Sequence, residues 1–293
     1  MDSLEFIDFV KRKTLVAMFS DDELMERLVL KGGNALDLVY GISTRASVDL
    51  DFSLDGEFSG IDELRAKVER VLLATFADHD LVAFDIRVTN RPPQLSDDVR
   101  DFWGGYRVEF KLIDRKGFKQ FAGNLEALQR NSKAVGPRGS TKFQIDISRH
   151  EYCESKQPQV FEHFTIFVYT PEMIVAEKLR ALCQQMPEYG PVVKRTRPGG
   201  ARARDFVDIH VVCSRFPIDF GSDAVHELVR RTFAVKQVPA TLLASLSEHR
   251  EFHRQDFESV IATVKPGFAL RDFDFYFDHV LGICRDLQPL WDV

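Results

Sequence analysis

Long apolar runs are missing from this 293-residue chain. The longest, such as Leu72 to Ala74 or Ile209 to Cys213, are a handful of residues cut by charges, far short of the roughly 20 that a helix needs to cross a bilayer, so no membrane span is expected. The first residues, Met1-Asp2-Ser3-Leu4-Glu5, carry acid where a signal peptide carries base, which argues against secretion and for a cytoplasmic location. Cysteine is sparse. Cys153, Cys183, Cys213 and Cys284 lie 30 or more residues apart, with no CxxC pair and no paired histidine at zinc spacing, so reduced and mostly buried thiols are expected in place of a zinc site. Positive charge is also short: 39 Lys and Arg against 45 Asp and Glu give a net charge of -6. Coating nucleic acid by bulk attraction is thereby excluded, and any contact with it must be local. Neither an internal repeat nor a low-complexity tract is present.

What remains is a chain that is 44% hydrophobic, long enough for one large domain or two ordinary ones with real cores. The first thirty residues read as helix, with a second helix starting at Ser20-Asp21-Asp22-Glu23. Val29 to Lys31 is a short apolar approach to Gly32-Gly33, and Asn34 to Tyr40 reads as helical. Val48 to Leu54 alternates polar and apolar side chains, the period of a half-buried strand. Further strands are expected at Leu81 to Val88, Tyr106 to Ile113, Phe143 to Ser148 and Phe164 to Tyr169. Past Thr170 the pattern turns helical: Pro171 to Gln185, Arg202 to Cys213, Ala224 to Phe233, Asp256 to Val264 and Asp272 to Leu287. Thr170-Pro171-Glu172 combines a capping oxygen, a proline at the first helical position and an acid at the positive helix end. Strands followed by helices predict an α+β protein of two lobes, a mixed-sheet domain over 1–168 and a helical domain over 169–293. Arg91 to Gly105 and Pro187 to Ala201, rich in Pro and Gly, read as mobile.

The chemistry concentrates in Val48-Asp49-Leu50-Asp51-Phe52. Two carboxylates two apart on a strand share one face, while Leu50 and Phe52 pack on the other. Such a pair suits Mg2+ or Mn2+ carrying a nucleoside triphosphate, with hard oxygen ligands from protein and phosphate. Taken alone, DxD also fits two solvated acids on a surface strand. Its surroundings strengthen the metal reading: Gly32-Gly33 precedes it, with Asn34 as a competent N-cap, so backbone N–H groups there can face an anion. Arg45 and Ser47 lie between, a guanidinium and a hydroxyl suited to phosphate.

Lys31-Gly32-Gly33-Asn34-Ala35-Leu36, Tyr40-Gly41 and Arg45-Ala46-Ser47-Val48-Asp49-Leu50-Asp51-Phe52-Ser53 together closely resemble the AbiEii/AbiGii family of nucleotidyltransferase-like toxins, within the DNA polymerase β-like superfamily. The resemblance implies a divalent metal, a nucleoside triphosphate substrate, and nucleotide transfer to RNA, notably the 3′ end of tRNA, blocking translation within a toxin–antitoxin or phage-defence system with a cognate antitoxin as a possible partner. Asn34 departs from the threonine usual after the GG pair.

That plan wants a third carboxylate on a neighbouring strand as general base or metal ligand. Asp146, opposite in facing to Phe143, Ile145 and Ile147, is the best candidate, with Glu109 and Asp85 as rivals. Ala176-Glu177-Lys178-Leu179-Arg180-Ala181-Leu182 resembles the family's A-E-K-L-x-A-L segment, whose lysine is placed to contact phosphate; read from the residues alone, Lys178 interrupts an apolar stripe and would snorkel. Arg202-Ala203-Arg204-Asp205-Phe206-Val207-Asp208 resembles the family's R-D-x-x-D. Asp205 and Asp208 share a helical face, equally suited to catalysis or to a salt-bridge cluster between helices. The aromatic helix with Phe273, Phe275 and Phe277 reads as core. A cationic stretch, Lys194, Arg195, Arg197, Arg202 and Arg204, is the expected RNA contact. Two rival readings are a nucleotidyl- or phosphotransferase acting on a protein or small molecule, and an inactive nucleotide-binding module that sequesters a partner.

Overall fold

A computed structural model describes residues 3–42, 49–136, 139–265 and 267–291. Seven strands, β1 (Leu28–Lys31), β2 (Leu50–Leu54), β3 (Leu81–Arg91), β4 (Gly105–Asp114), β5 (Phe143–Ser148), β6 (Gln157–Phe161) and β7 (Phe164–Val168), form one mixed sheet in the order β3-β4-β5-β2-β1-β7-β6. β2 runs parallel to β5 and β1 parallel to β7, and the other neighbours are antiparallel. Six helices among the described residues have twelve or more residues: α1 (Ser3–Phe19), α2 (Ile61–Ala77), α3 (Pro171–Cys183), α4 (Ala203–Arg215), α5 (Asp223–Ala234) and α6 (Phe273–Asp286). The mixed α+β class is thus present.

The central strands exist because both faces can be buried. In β5 the inward residues Phe143, Ile145 and Ile147 are at most 1% exposed while Gln144, Asp146 and Ser148 are half-buried on the opposite face. Phe110 of β4 meets the Phe143 ring at 5.4 Å and the Phe76 ring of α2 at 5.7 Å. α3 starts where its sequence says it should, with the Thr170 hydroxyl accepting from Met173 N and Pro171 in the first turn. Phe206 of α4 stacks on Phe277 and meets Phe273 edge-on, so the aromatic C-terminal helix is core. One apolar cluster contains Phe52 of the sheet and Phe206 of the helices alike.

Several features depart from expectation. α2 falls where no helix was anticipated, although Leu64, Val68, Val71, Leu72 and Phe76 line its buried face and Asp62 and Glu63 sit in its first turn. β6 was also unforeseen. Pro158 and the exposed Val160 conceal its pattern because it is an edge strand. Its hairpin with β7 turns on Glu162 and His163, both at positive φ, the geometry of a two-residue reversal. Phe257–Ile261 is a shorter helix than the Asp256 to Val264 segment suggested. The Pro187–Ala201 stretch, expected to be mobile, is fastened: Arg195 Nη1 donates to Gln184 O at 2.8 Å, Arg195 Nη2 donates to Met186 O, and Tyr189 is fully buried. All four cysteines are free, three of them buried.

Candidate active site

Parallel pairing of β2 with β5 sets Asp51 directly opposite Asp146, and antiparallel pairing of β1 with β2 sets Lys31 opposite Asp51. Asp49 precedes β2 on the same side. These residues open onto a cleft of about 900 Å³, walled by Gly32 and Gly33 at one side and by Trp103, Lys178 and Arg204 elsewhere. The strand alternation works as the sequence indicates: Leu50 and Phe52 are fully buried on the far face while both acids face the cleft.

The Gly32-Gly33 turn has a steric reason. Gly32 sits at φ +66°, and a Cβ there would lie 2.9 Å from the Asp51 Oδ2 atom, so only glycine lets the backbone pass this close to the carboxylate. Asn34 does not act as a cap: it lies within the helical turn, and its Nδ2 donates to Asp49 O at 2.5 Å, tying down the chain that carries the first acid. Arg45 and Ser47 lie outside the described residues.

Electrostatics single out the two acids. Burial, then the negative charges of Glu177, Asp146 and Asp49, push the Asp51 carboxyl up to about 6 against the pull of Lys31. Burial and the charge of Asp146 likewise raise Asp49, with Arg107 opposing. A carboxylate pair raised by desolvation and mutual repulsion is what a divalent cation relieves, and two hard oxygen donors beside open cleft fit Mg2+ or Mn2+. Asp146 is differently placed. Both its oxygens are gripped, by Arg107 Nε and Nη2 at 2.8 and 3.0 Å and by Arg91 Nη1 at 2.8 and 3.0 Å. Among the described residues no three acids, histidines or cysteines gather as a metal cluster. The rivals lie off the cleft lining: Glu109 accepts from Gln144, and Asp85 accepts from Gln129 at a bulge.

The raised Asp51 makes a signed prediction. Between about pH 4 and 6 the folded chain keeps a proton that the unfolded chain has released, so this group's contribution to stability falls as pH rises through that window. In cation-free buffer, Asp51→Asn is expected to equal wild type in urea stability below about pH 4 and to exceed it above about pH 6, by up to about 3 kcal/mol. A difference between the two proteins that does not change with pH would contradict the assignment.

Lys178 is 7% exposed and its ammonium donates to Asp205 at 3.0 Å and Asp208 at 2.7 Å, while Arg202 also pairs with Asp205. Although burial works the other way, Arg202 and Lys178 hold the Asp205 carboxyl well below the usual range. Lys178, Arg202 and Asp205 still line the cleft. The expected cationic stretch is divided by its partners: Lys194 pairs with Asp98, Arg195 with backbone carbonyls and Arg202 with Asp205, whereas Arg197 and Arg204 are exposed.

A second ionic group was not foreseen. Glu151 sits among Lys31, Arg180 and Lys236 at 3.4, 2.8 and 3.5 Å, and Lys31 donates to Glu177 at 2.5 Å. Burial pulls Lys31 down, yet Glu151 and Glu177 hold it above its usual value; Lys236, buried beside Arg180 and Lys31, is lowered to about 8. Only the K-G-G and A-E-K-L motifs hinted at two of its members, since the partners are separated by up to hundreds of positions.

Residues 13–279 match the family described as nucleotidyl transferase AbiEii toxin, type IV toxin–antitoxin system, and the chain belongs to that family. Membership makes it a nucleotidyltransferase of toxin type, with a nucleotide substrate and an antitoxin as partner. No curated protein matches the sequence. Two solved structures from Helicobacter pylori are similar along nearly the whole chain. One is a protein assigned as a candidate nucleotidyltransferase, at 15% identity, covering 99% of this chain and 96% of that one with a TM-score of 0.48. The other is JHP933, at 16% identity, 99% and 93% coverage and a TM-score of 0.48. An antigenic nucleotidyltransferase-like protein from Paracoccidioides brasiliensis aligns at 14% identity over 87% of this chain and 94% of that one, with a TM-score of 0.37. No helix among the described residues is long and apolar enough to cross a membrane.

Proposed function

We propose that the protein, acting in the cytoplasm, transfers a nucleoside monophosphate from a nucleoside triphosphate to the 3′ end of an RNA, with the tRNA acceptor end as the target and blocked translation as the outcome. The observation that carries this reading is the meeting of Asp49, Asp51 and Asp146 at one wall of a cleft large enough for a nucleotide, with Gly32 making room beside Asp51. Asp49 and Asp51 would hold Mg2+ or Mn2+, which when bound neutralises phosphate charge. The Gly32-Gly33 turn lets the triphosphate approach the sheet, and Arg45 and Ser47 are assigned to its oxygens. Lys178 lines the same cleft and is assigned to the triphosphate, with Asp205 and Asp208 holding its ammonium in place. Asp146 is the third acid, and its two arginines, Arg91 and Arg107, bring guanidinium charge to the same wall. Attack by the RNA 3′-hydroxyl on the α-phosphorus, in line with departing pyrophosphate, is the reaction this set of groups suits. We further take residue 168, where the strands end, as the boundary between the two lobes.

Periodate treatment tests the acceptor, because it destroys the 3′-terminal diol of RNA. Label from α-labelled triphosphate is expected on untreated RNA and absent from treated RNA. Equal labelling of both, or label on protein alone, would overturn the acceptor assignment.

A further inference from the structure

Asp146 is fully occupied by its two arginines. Oδ1 accepts from Arg107 Nε and Arg91 Nη1, and Oδ2 accepts from Arg107 Nη2 and Arg91 Nη1, all at 2.8 to 3.0 Å. A carboxylate so saturated has no lone pair left for a cation or for the proton of an attacking hydroxyl, so one arginine must leave before Asp146 can join Asp49 and Asp51. The two are held unequally. Arg107 stands directly opposite Asp146 on β4, has a side chain 27% exposed, and pairs through two separate nitrogens in the geometry that suits a guanidinium best. Arg91 reaches in from the end of β3, has a side chain 51% exposed, and spends one nitrogen on both oxygens. Its Nε and Nη2 make no hydrogen bond among the described residues, and it lines the cleft. An ion pair that is half exposed gains little net energy, so it is cheap to open.

We infer that Arg91 exchanges partners when the triphosphate binds, moving from Asp146 to phosphate oxygens and releasing Asp146 toward the cation site of Asp49 and Asp51, while Arg107 stays as the residue that positions Asp146. The inference rests on the nucleotidyl-transfer reading above and adds a coupling between phosphate and cation. A guanidinium with unused N–H donors fits the oxygens of a triphosphate, and phosphate carries more negative charge than the single carboxylate it replaces. The differential affinity of Arg91 for these two partners is what drives the exchange. Without phosphate, Arg91 stays on Asp146 and weakens the hold of the wall on a bare cation.

Two binding measurements on the full chain test this: Mn2+ alone, read by its paramagnetic resonance signal, and the four nucleoside triphosphates and inorganic tripolyphosphate, each with Mg2+, read by calorimetry. Arg91→Ala, or Arg91→Gln should the alanine variant fail to fold by thermal melting, is expected to bind tripolyphosphate and the best-bound nucleotide about tenfold more weakly, one charged hydrogen bond's worth. The same variant is expected to bind Mn2+ alone about fivefold more tightly, because Asp146 is released. A purely structural arginine would lower both affinities or neither. In an Asp146→Asn background the gain in Mn2+ affinity on replacing Arg91 is expected to vanish, whereas a gain from removing distant charge would persist. If tripolyphosphate binds the Arg91 variant as it binds wild type, or if the Mn2+ gain is absent or survives in Asp146→Asn protein, the exchange is refuted while the nucleotide reading stands. If wild type binds neither nucleotides nor tripolyphosphate, the nucleotide-cleft reading fails and the exchange with it.

Discussion

Lys178→Ala is expected to destabilise the folded chain by about 3–5 kcal/mol, the usual cost of removing one partner from a buried ion pair. Lys178 is 8% exposed at its side chain, and Asp205 and Asp208 are 2% and 5% exposed at theirs. Truncation takes from both carboxylates the cation they share. Arg202 continues to serve Asp205. The double variant Lys178→Ala/Asp208→Asn should therefore recover part of the loss, because it removes a charge that would otherwise stay buried. Chemical denaturation of the three proteins is the check. A Lys178→Ala protein as stable as wild type would show that the ammonium does not fasten α3 to α4, and its main duty would then be toward phosphate.

The second large effect is catalytic. Asp49→Asn and Asp51→Asn are each expected to lower nucleotide transfer on the order of a thousandfold or more, since each removes charge from the proposed cation site and from the point where phosphate charge develops. Neither change opens a cavity: Asp49 is exposed, Asp51 faces the cleft, and Asn is nearly isosteric with Asp. The fold should survive. Loss of transfer accompanied by an unchanged or raised melting temperature is the expected joint outcome, and near-wild-type transfer by either variant would remove the acids from the mechanism.

The parts of the site legible in the sequence are those whose geometry is local. Alternation put Asp49 and Asp51 on one face with Leu50 and Phe52 behind them. The same alternation in Phe143–Ser148 turned Asp146 toward the acids, and the spacing of Asp205 and Asp208 set both on one helical face. Thr170 and Pro171 marked a helix start because a cap is a property of consecutive residues. What stayed hidden depends on partners far apart in the chain. Nothing near Glu151 indicates that Lys31, Arg180 and Lys236 converge on it, and nothing near Asp146 indicates that Arg91 and Arg107 grip it. Arg195 illustrates the reverse: its basic neighbours suggested an RNA contact, whereas its guanidinium holds the backbone of the loop that follows α3. The helix α2 was legible in retrospect through Leu64, Val68, Leu72 and Phe76, but its position between two strands broke the expected succession of strands followed by helices.

Nucleotide transfer from the α-phosphate to RNA is proposed to occur at the Asp49–Asp51 wall. Its most direct test uses purified wild-type protein with total RNA, Mg2+ and each triphosphate labelled once at the α and once at the γ position, with Asp51→Asn protein in parallel. RNA is expected to gain α label and no γ label with at least one triphosphate, and Asp51→Asn protein is expected to leave the RNA unlabelled. Label passing from the γ position, or α label appearing equally with Asp51→Asn protein, would contradict it.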